Sequence, residues 1–233
     1  MPDGGWIPDD RAGLTIADAT SACFAMELPW DKLDAVTFSF QKSLGGEGGH
    51  GVLILSPRAV ERLETYVPNW PIPKLFRLTA KGKLNEGIFG GMTINTPSML
   101  AVEDAVDALN WAKSIGGLPA LIARSEASLD VVKAWVETTP FYSFLAEDPA
   151  TISNTSITLS ITDPWFVGLD KTEKVTTASR VIKNIENEGV ALDSTSYRDA
   201  PLGIRIWAGP TVETNDIAAL LPWLDWAYAE VAQ

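Results

Sequence analysis

One cysteine, one histidine and comparatively few basic residues are found in this sequence, and nowhere does it run for about 18 uninterrupted apolar residues. Each scarcity excludes something. A lone Cys23 rules out an internal disulfide framework and any cysteine-based zinc site, and it suits a reducing compartment. A lone His50 has no carboxylate or thiol beside it to complete a proton relay, so it reads as a structural residue and not as a metal ligand. Acidic residues outnumber basic ones 30 to 18, for a net charge of -12. No lysine and arginine stripe remains that could neutralise a nucleic-acid backbone. The first ten residues carry Asp, Gly and Pro instead of a basic and then apolar leader, so the expectation is a cytoplasmic protein without a membrane partner. What is present, 46% hydrophobic and 21% charged residues, is the balance of a chain that buries one or two cores.

The apolar pattern predicts a short buried strand over residues 13–17 that ends at Asp18, and a second over 34–40 that ends at Gln41-Lys42. The link between them is long enough for a crossover, which makes a parallel pair the natural arrangement and puts Asp18 and Lys42 at neighbouring strand ends. Ligands collect at the carboxyl ends of strands in open α/β sheets. A glycine-rich turn over 45–51 leads to a third strand over 52–55, and Pro57 opens a helix through Tyr66 with Val60 and Leu63 on one face. Residues 67–94 are less regular and hold a basic loop around Lys81 and Lys83. Thr96 followed by Pro97 reads as N-cap and first helical residue, with a stripe of Leu100, Ala101, Ala105, Ala108, Leu109, Ala112 and Ile115 running to Gly116-Gly117. Pro119 starts a further helix to about Thr138. Beyond residue 139 a separate α+β unit is expected, with strands over 156–161 and 203–207 and helices over 171–188 and 215–231, the last bent at Pro222.

A lysine at the end of a buried strand beside a glycine loop is most often a surface lysine opening a turn, since lysines are mostly exposed. Asp18 raises its interest. Pyridoxal chemistry needs an amine for a Schiff base and a carboxylate that keeps the pyridine nitrogen protonated, so that the ring accepts electrons from a carbanion. Asp18 and Lys42 on adjacent strand ends are the residue types for those two tasks. The bland alternative for Asp18 is a turn or cap residue. Arg198 and Arg205 stand out because each lies in an acidic background, and a planar bidentate donor suits a carboxylate or a phosphate.

Three segments carry a resemblance: Thr15-Ile-Ala-Asp-Ala-Thr-Ser-Ala22, Phe38-Ser-Phe-Gln-Lys-Ser-Leu-Gly-Gly-Glu-Gly-Gly-His-Gly51 and Ile94-Asn-Thr-Pro-Ser98. In order and spacing they resemble the phosphoserine aminotransferase family, as do Ala108-Leu-Asn-Trp-Ala-Lys-Ser-Ile-Gly-Gly117 and Tyr197-Arg-Asp-Ala-Pro-Leu-Gly-Ile-Arg-Ile-Trp207. The resemblance implies an α/β protein with the fold type I of PLP-dependent transferases. An incomplete large domain with a mixed sheet would span residues 1–118, and a small α+β domain residues 119–233. It implies pyridoxal 5′-phosphate as cofactor, Lys42 as the Schiff-base lysine and proton shuttle, and Asp18 on the pyridine nitrogen. Gln41 would touch the cofactor phosphate, and Asn95 with Thr96 would reach the phosphate of a neighbouring subunit's cofactor, so a homodimer with shared sites follows. Arg205 would grip the substrate α-carboxylate and Arg198 the substrate phosphate. The implied reaction moves an amino group between O-phospho-L-serine and 2-oxoglutarate, in serine biosynthesis.

Two departures accompany it. Better-known relatives place a histidine where this chain has Tyr197. Family members also carry a substantial N-terminal segment, with a glycine-containing phosphate loop and an aromatic residue stacked on the ring, so the chain matches a C-terminal portion and is expected to lack those groups. Two other readings stay open: another transaminase or desulfurase of the same fold, and a catalytically silent dimerisation module that keeps the fold without a complete site.

Overall fold

The computed structural model describes residues 4–197 and 199–232. The chain divides into two compact units: one combines the segment up to Thr20 with Leu28–Trp111, the other Ser21–Glu27 with the residues from Ala112 onward. No helix among the described residues is long and apolar enough to cross a membrane.

The first unit is built on a three-stranded sheet. Strand β1 (Ile16–Asp18) pairs in parallel with β2 (Ala35–Ser39), and β2 pairs antiparallel with β3 (Gly51–Leu55). The sheet is therefore mixed, with β2 in the centre. Val36 and Phe38 point to its buried side, while Thr37 between them is exposed. The β1–β2 link holds turns and a single 3-10 turn at Trp30–Lys32, so the parallel connection is made without a long helix. Helix α1 (Pro57–Thr65) starts as the sequence indicates: Pro57 stands at its first position and the Ser56 hydroxyl accepts the Ala59 N–H at 3.1 Å. The irregular stretch contains a small hairpin, β4 (Thr79–Ala80) and β5 (Lys83–Leu84), whose turn residues Lys81 and Gly82 both have positive φ, 54° and 76°. That is the twist a two-residue hairpin turn requires, and the basic side chains had masked it in the sequence. A short helix α2 (Glu86–Phe89) leads towards α3 (Met99–Ser114).

Helix α3 corrects the expected start at Thr96-Pro97. It begins at Met99, and Ser98 caps it: its hydroxyl accepts the Ala101 N–H at 3.4 Å and its carbonyl the Val102 N–H at 3.2 Å. Thr96 thus lies in the approach to the helix, because a serine two residues further on offers the same capping chemistry. Of the expected stripe, Ala101, Ala105 and Ala112 are buried, whereas Leu100, Leu109 and Ile115 are exposed.

The element that fixes this unit is a buried carboxylate. Asp34 is 3% exposed and stands just before β2. One of its oxygens accepts from the Thr15 N–H at 2.8 Å and from Arg11 at 3.1 Å, with Arg58 at 3.4 Å; the other accepts from the Ser56 hydroxyl at 3.0 Å. Its backbone joins in, since Asp34 N–H donates to Thr15 and Ser56 N–H donates to Asp34. The approach to β1, the start of β2 and the cap of α1 are therefore tied at one side chain. Its ladder partners reproduce the tie further along, with Ala19 N–H donating to the Thr37 carbonyl at 2.8 Å.

The second unit holds the larger apolar core. Helix α4 (Leu118–Val136) follows Gly116 and Gly117, both at positive φ. An antiparallel sheet of β6 (Tyr142–Phe144), β7 (Ser156–Ile161) and, later in the chain, β8 (Ile204–Trp207) follows. Alternation in β7 buries Ile157, Leu159 and Ile161. Between β7 and β8 lie α5 (Pro164–Gly168) and α6 (Lys171–Asn187), the latter opened by a capping box of Asp170 and Glu173. The last helix, α7 (Thr214–Ala229), continues through Pro222. Leu221 and Leu224 on either side are buried, and their burial offsets the hydrogen bond that proline removes. Tyr142 donates to the Leu224 carbonyl at 3.0 Å, and Trp135 and Thr139 both donate to Asp225, at 2.8 and 2.6 Å. At Gly203 the chain passes so close to the Leu159 carbonyl that any Cβ would collide with it. Cys23 is buried, and burial pushes its thiol up to about 11, so it is no thiolate nucleophile at neutral pH.

Burial alone would raise the Asp34 carboxyl, but hydrogen bonds from Thr15, Ser56 and Arg11, with the Arg11 charge, hold it below the usual carboxylate range. The stabilisation is present above the unfolded carboxylate range and is lost as pH falls through the lowered folded value. Asp34→Asn, which leaves Arg11 and Arg58 without a counter-charge, is expected to cost about 3 kcal/mol in urea unfolding at neutral pH. The same variant should lose less of its remaining stability on acidification than the parent.

Candidate active site

Asp18 and Lys42 lie in the same unit, Asp18 at the end of β1 and Lys42 in the loop that follows its parallel partner β2. Asp18 is the last residue of β1 and pairs with Thr37. Its side chain is exposed. Oδ1 accepts from the Thr20 hydroxyl at 2.6 Å and the Thr20 N–H at 3.0 Å. The hydroxyl bond first and the backbone bond second hold this carboxyl below the ordinary range, so it is ionised at neutral pH. Oδ2 accepts no hydrogen bond among the described residues. The arrangement is a carboxylate with one oxygen fixed and the other available to a donor such as a protonated ring nitrogen.

Lys42 and Gln41 open the loop of residues 40–50 that joins β2 to β3. The loop closes on itself through Gly45 N–H to the Lys42 carbonyl at 2.9 Å, Gly46 N–H to the Phe40 carbonyl at 2.9 Å and Phe40 N–H to the His50 carbonyl at 3.3 Å. Gly45 needs its glycine, with φ 69°, and a Cβ on Gly46 would press on Phe40 at 3.3 Å. Lys42 is half-buried and Gln41 exposed.

The structure links this loop to the third predicted segment. His50 Nε2 accepts the Ser98 N–H at 3.3 Å, which ties the end of the lysine loop to the cap of α3 just after Asn95 and Thr96. Both of those residues are exposed. No local pattern marks this bond, because its donor lies 48 positions away. Asp34 was missed as well, since nothing local marks an aspartate before a strand as a buried hub.

Arg205 lies in β8, in the other unit, opposite Thr158 of β7. It is 8% exposed. Nε donates to the Thr195 carbonyl at 3.3 Å, and Nη2 donates to the Asp193 carbonyl at 3.1 Å and to Asp193 Oδ2 at 2.8 Å. The ring of Tyr197 covers the guanidinium at 4.6 Å. Tyr197 thus has a visible task, holding the plane of an arginine by cation–π contact. Arg198 lies outside the described residues. A cleft of about 730 Å³ in the first unit, lined by Tyr66, Trp70, Phe76, Arg62 and Arg77 among others, holds none of the candidate residues.

No protein-family profile matches the chain. It is 54% identical over 228 residues to the phosphoserine aminotransferase of Methanosarcina mazei, a match covering 98% of this chain and 59% of the relative. The chain thus spans about three fifths of that relative's length, in its C-terminal part. Among solved structures, the phosphoserine aminotransferase from Bacillus circulans subsp. alkalophilus superposes with a TM-score of 0.72 at 19% identity, over 96% of this chain and 55% of that one. The PLP-bound phosphoserine aminotransferase from Trichomonas vaginalis gives 0.72 at 17% identity, over 94% and 55%. The fold is that of the PLP-dependent fold type I aminotransferases, represented by part of its α/β architecture with a mixed sheet.

Thr20→Val removes the shorter bond to Asp18 and keeps the backbone one. Carbon-detected NMR titration of the Asp18 carboxyl should show its midpoint rising towards, without reaching, the ordinary carboxylate range. His50→Ala should speed amide exchange at Ser98 by about fivefold or more, with exchange at Thr37 in the sheet unchanged.

Proposed function

We propose, from a homology to the phosphoserine aminotransferases that runs through 98% of the chain, that this protein carries the lysine, the ring-nitrogen carboxylate and the substrate-carboxylate arginine of such an enzyme. The reaction is transfer of an amino group between O-phospho-L-serine and 2-oxoglutarate, giving 3-phosphohydroxypyruvate and glutamate, a step of serine biosynthesis. The observation that carries the reading is Asp18: an ionised carboxylate, oriented through one oxygen by Thr20, at the end of a strand parallel and adjacent to the one that leads into Lys42.

These residues fit pyridoxal 5′-phosphate. When bound, the cofactor supplies an electron sink for the carbanion formed at the substrate α-carbon. Asp18 would accept the ring N–H through Oδ2 and keep that nitrogen protonated, while the two bonds from Thr20 hold Oδ1 and orient the carboxylate. Lys42 would hold the cofactor through its amine and would be the base that moves the proton at the substrate α-carbon. Gln41 binds the cofactor phosphate from the same loop. Asn95 and Thr96 bind the phosphate of a second subunit's cofactor in a homodimer. With α3 starting at Met99, they do so as loop donors and not as the helix terminus itself. Arg205 takes the substrate α-carboxylate with the fork geometry an arginine offers, and Arg198 takes the substrate phosphate. On this reading residues 1–118 form part of the cofactor-binding domain and 119–233 the small domain, and the enzyme works in the cytoplasm.

A second reading is a module that dimerises without catalysis. The two readings diverge in one experiment. After incubation of the chain with pyridoxal phosphate, borohydride reduction and peptide mapping, the label is expected on the peptide holding Lys42. It should be absent in Lys42→Ala and weaker in Asp18→Ala. A label elsewhere overturns the assignment, and no label together with a stable dimer favours the module. With label in place, turnover of O-phospho-L-serine should exceed that of L-alanine and L-aspartate and should fall by at least about 100-fold in Lys42→Ala.

A further inference from the structure

We propose that Asp193 is a built-in competitor for the carboxylate site on Arg205. Its side chain holds a guanidinium donor that an incoming substrate carboxylate needs, and it is displaced when that carboxylate binds. The inference rests on the reading of Arg205 as the α-carboxylate ligand and adds to it the residue that sets how tightly that ligand is held.

A guanidinium has five N–H donors in a fixed fork. Here Nε–H goes to the Thr195 carbonyl, and both Nη2 hydrogens go to Asp193, one to its carbonyl and one to Oδ2. Among the described residues the two Nη1 hydrogens have no acceptor. A carboxylate gripped in the bidentate manner takes two parallel N–H bonds from one edge of the fork. The edge that includes Nε is held by backbone carbonyls, which cannot leave without moving the chain. The remaining edge joins Nη1 to Nη2, so it lacks a free Nη2 hydrogen. Rotation of the Asp193 side chain is the one change that releases such a hydrogen while the backbone stays in place.

The surroundings favour that exchange. The Arg205 side chain is 9% exposed, whereas that of Asp193 is 80% exposed, so the acid rotates into water and the arginine stays. Tyr197 covers the guanidinium face in either state and fixes its plane. Asp193 has φ 56°, a left-handed conformation that brings its carbonyl and its carboxylate to the same nitrogen. One negative charge faces the buried cation before binding and one faces it afterwards. Arg205 is never left as an unpaired buried charge, whose cost would otherwise fall on the empty enzyme. The competitor lowers apparent affinity by the fraction of time it occupies the fork.

The test is a titration of the full chain with L-glutamate, followed by the Arg205 Nε–H and Asp193 carboxyl-carbon resonances. Both should shift with the same midpoint in the parent. Asp193→Asn keeps a residue tolerant of positive φ and removes the charge, and Asp193→Gly removes the side chain altogether. Each should bind L-glutamate about three- to tenfold more tightly. An unchanged midpoint in both variants, or an Arg205 shift while the Asp193 carboxyl stays still, overturns the competitor role and leaves Arg205 as the ligand. If instead L-glutamate shifts neither resonance, or binds Arg205→Lys as well as the parent, the carboxylate assignment itself fails and the competitor role falls with it.

Discussion

The first unit depends on the pairing of Asp34 with its donors. A carboxylate is costly to bury, and here four groups from separate stretches meet it: the Thr15 amide, the Arg11 and Arg58 guanidinium groups and the Ser56 hydroxyl. Because those groups come from the approach to β1, from the residues before it and from the start of α1, satisfying one charge fixes where all of them lie. Hydrophobic burial brings the strands together. The acid decides which residue faces which, and with that which side chains arrive together at the far end of the sheet.

At that far end the consequence is chemical. Parallel register puts Asp18 opposite Thr37, and a closed loop puts Lys42 just beyond the end of the neighbouring strand. Thr20 then orients the acid through two bonds to one oxygen, and His50 holds the loop against the segment that carries Asn95 and Thr96. The proposed site needs its groups placed to within a fraction of an ångström, and supporting hydrogen bonds of this kind favour such placement.

Much of this was legible in the residues. Alternation announced β7, Pro57 announced α1, paired glycines announced the break before α4, and a connection long enough for a crossover announced the parallel pair of β1 and β2. The start of α3 was misplaced because Thr96-Pro97 and Ser98 offer the same capping chemistry, and only the hydrogen bond from Ala101 chooses between them. The exposed leucines of α3 broke the expected stripe because spacing specifies a face, not what covers it. A bond between distant positions, such as His50 with Ser98, leaves no local trace. His50 stood out only as the single histidine of the sequence.

Gly203 has a bearing on how this chain is able to change over generations. A side chain there would strike the Leu159 carbonyl, so the position is closed to every other amino acid while β7 and β8 remain paired. In a ladder whose faces alternate, sliding by a single step would turn Arg205 to the opposite side and bring an isoleucine into its place. The bare glycine therefore works as a locating pin: drift can reshape the surroundings of the arginine, but it cannot shift the arginine along its strand.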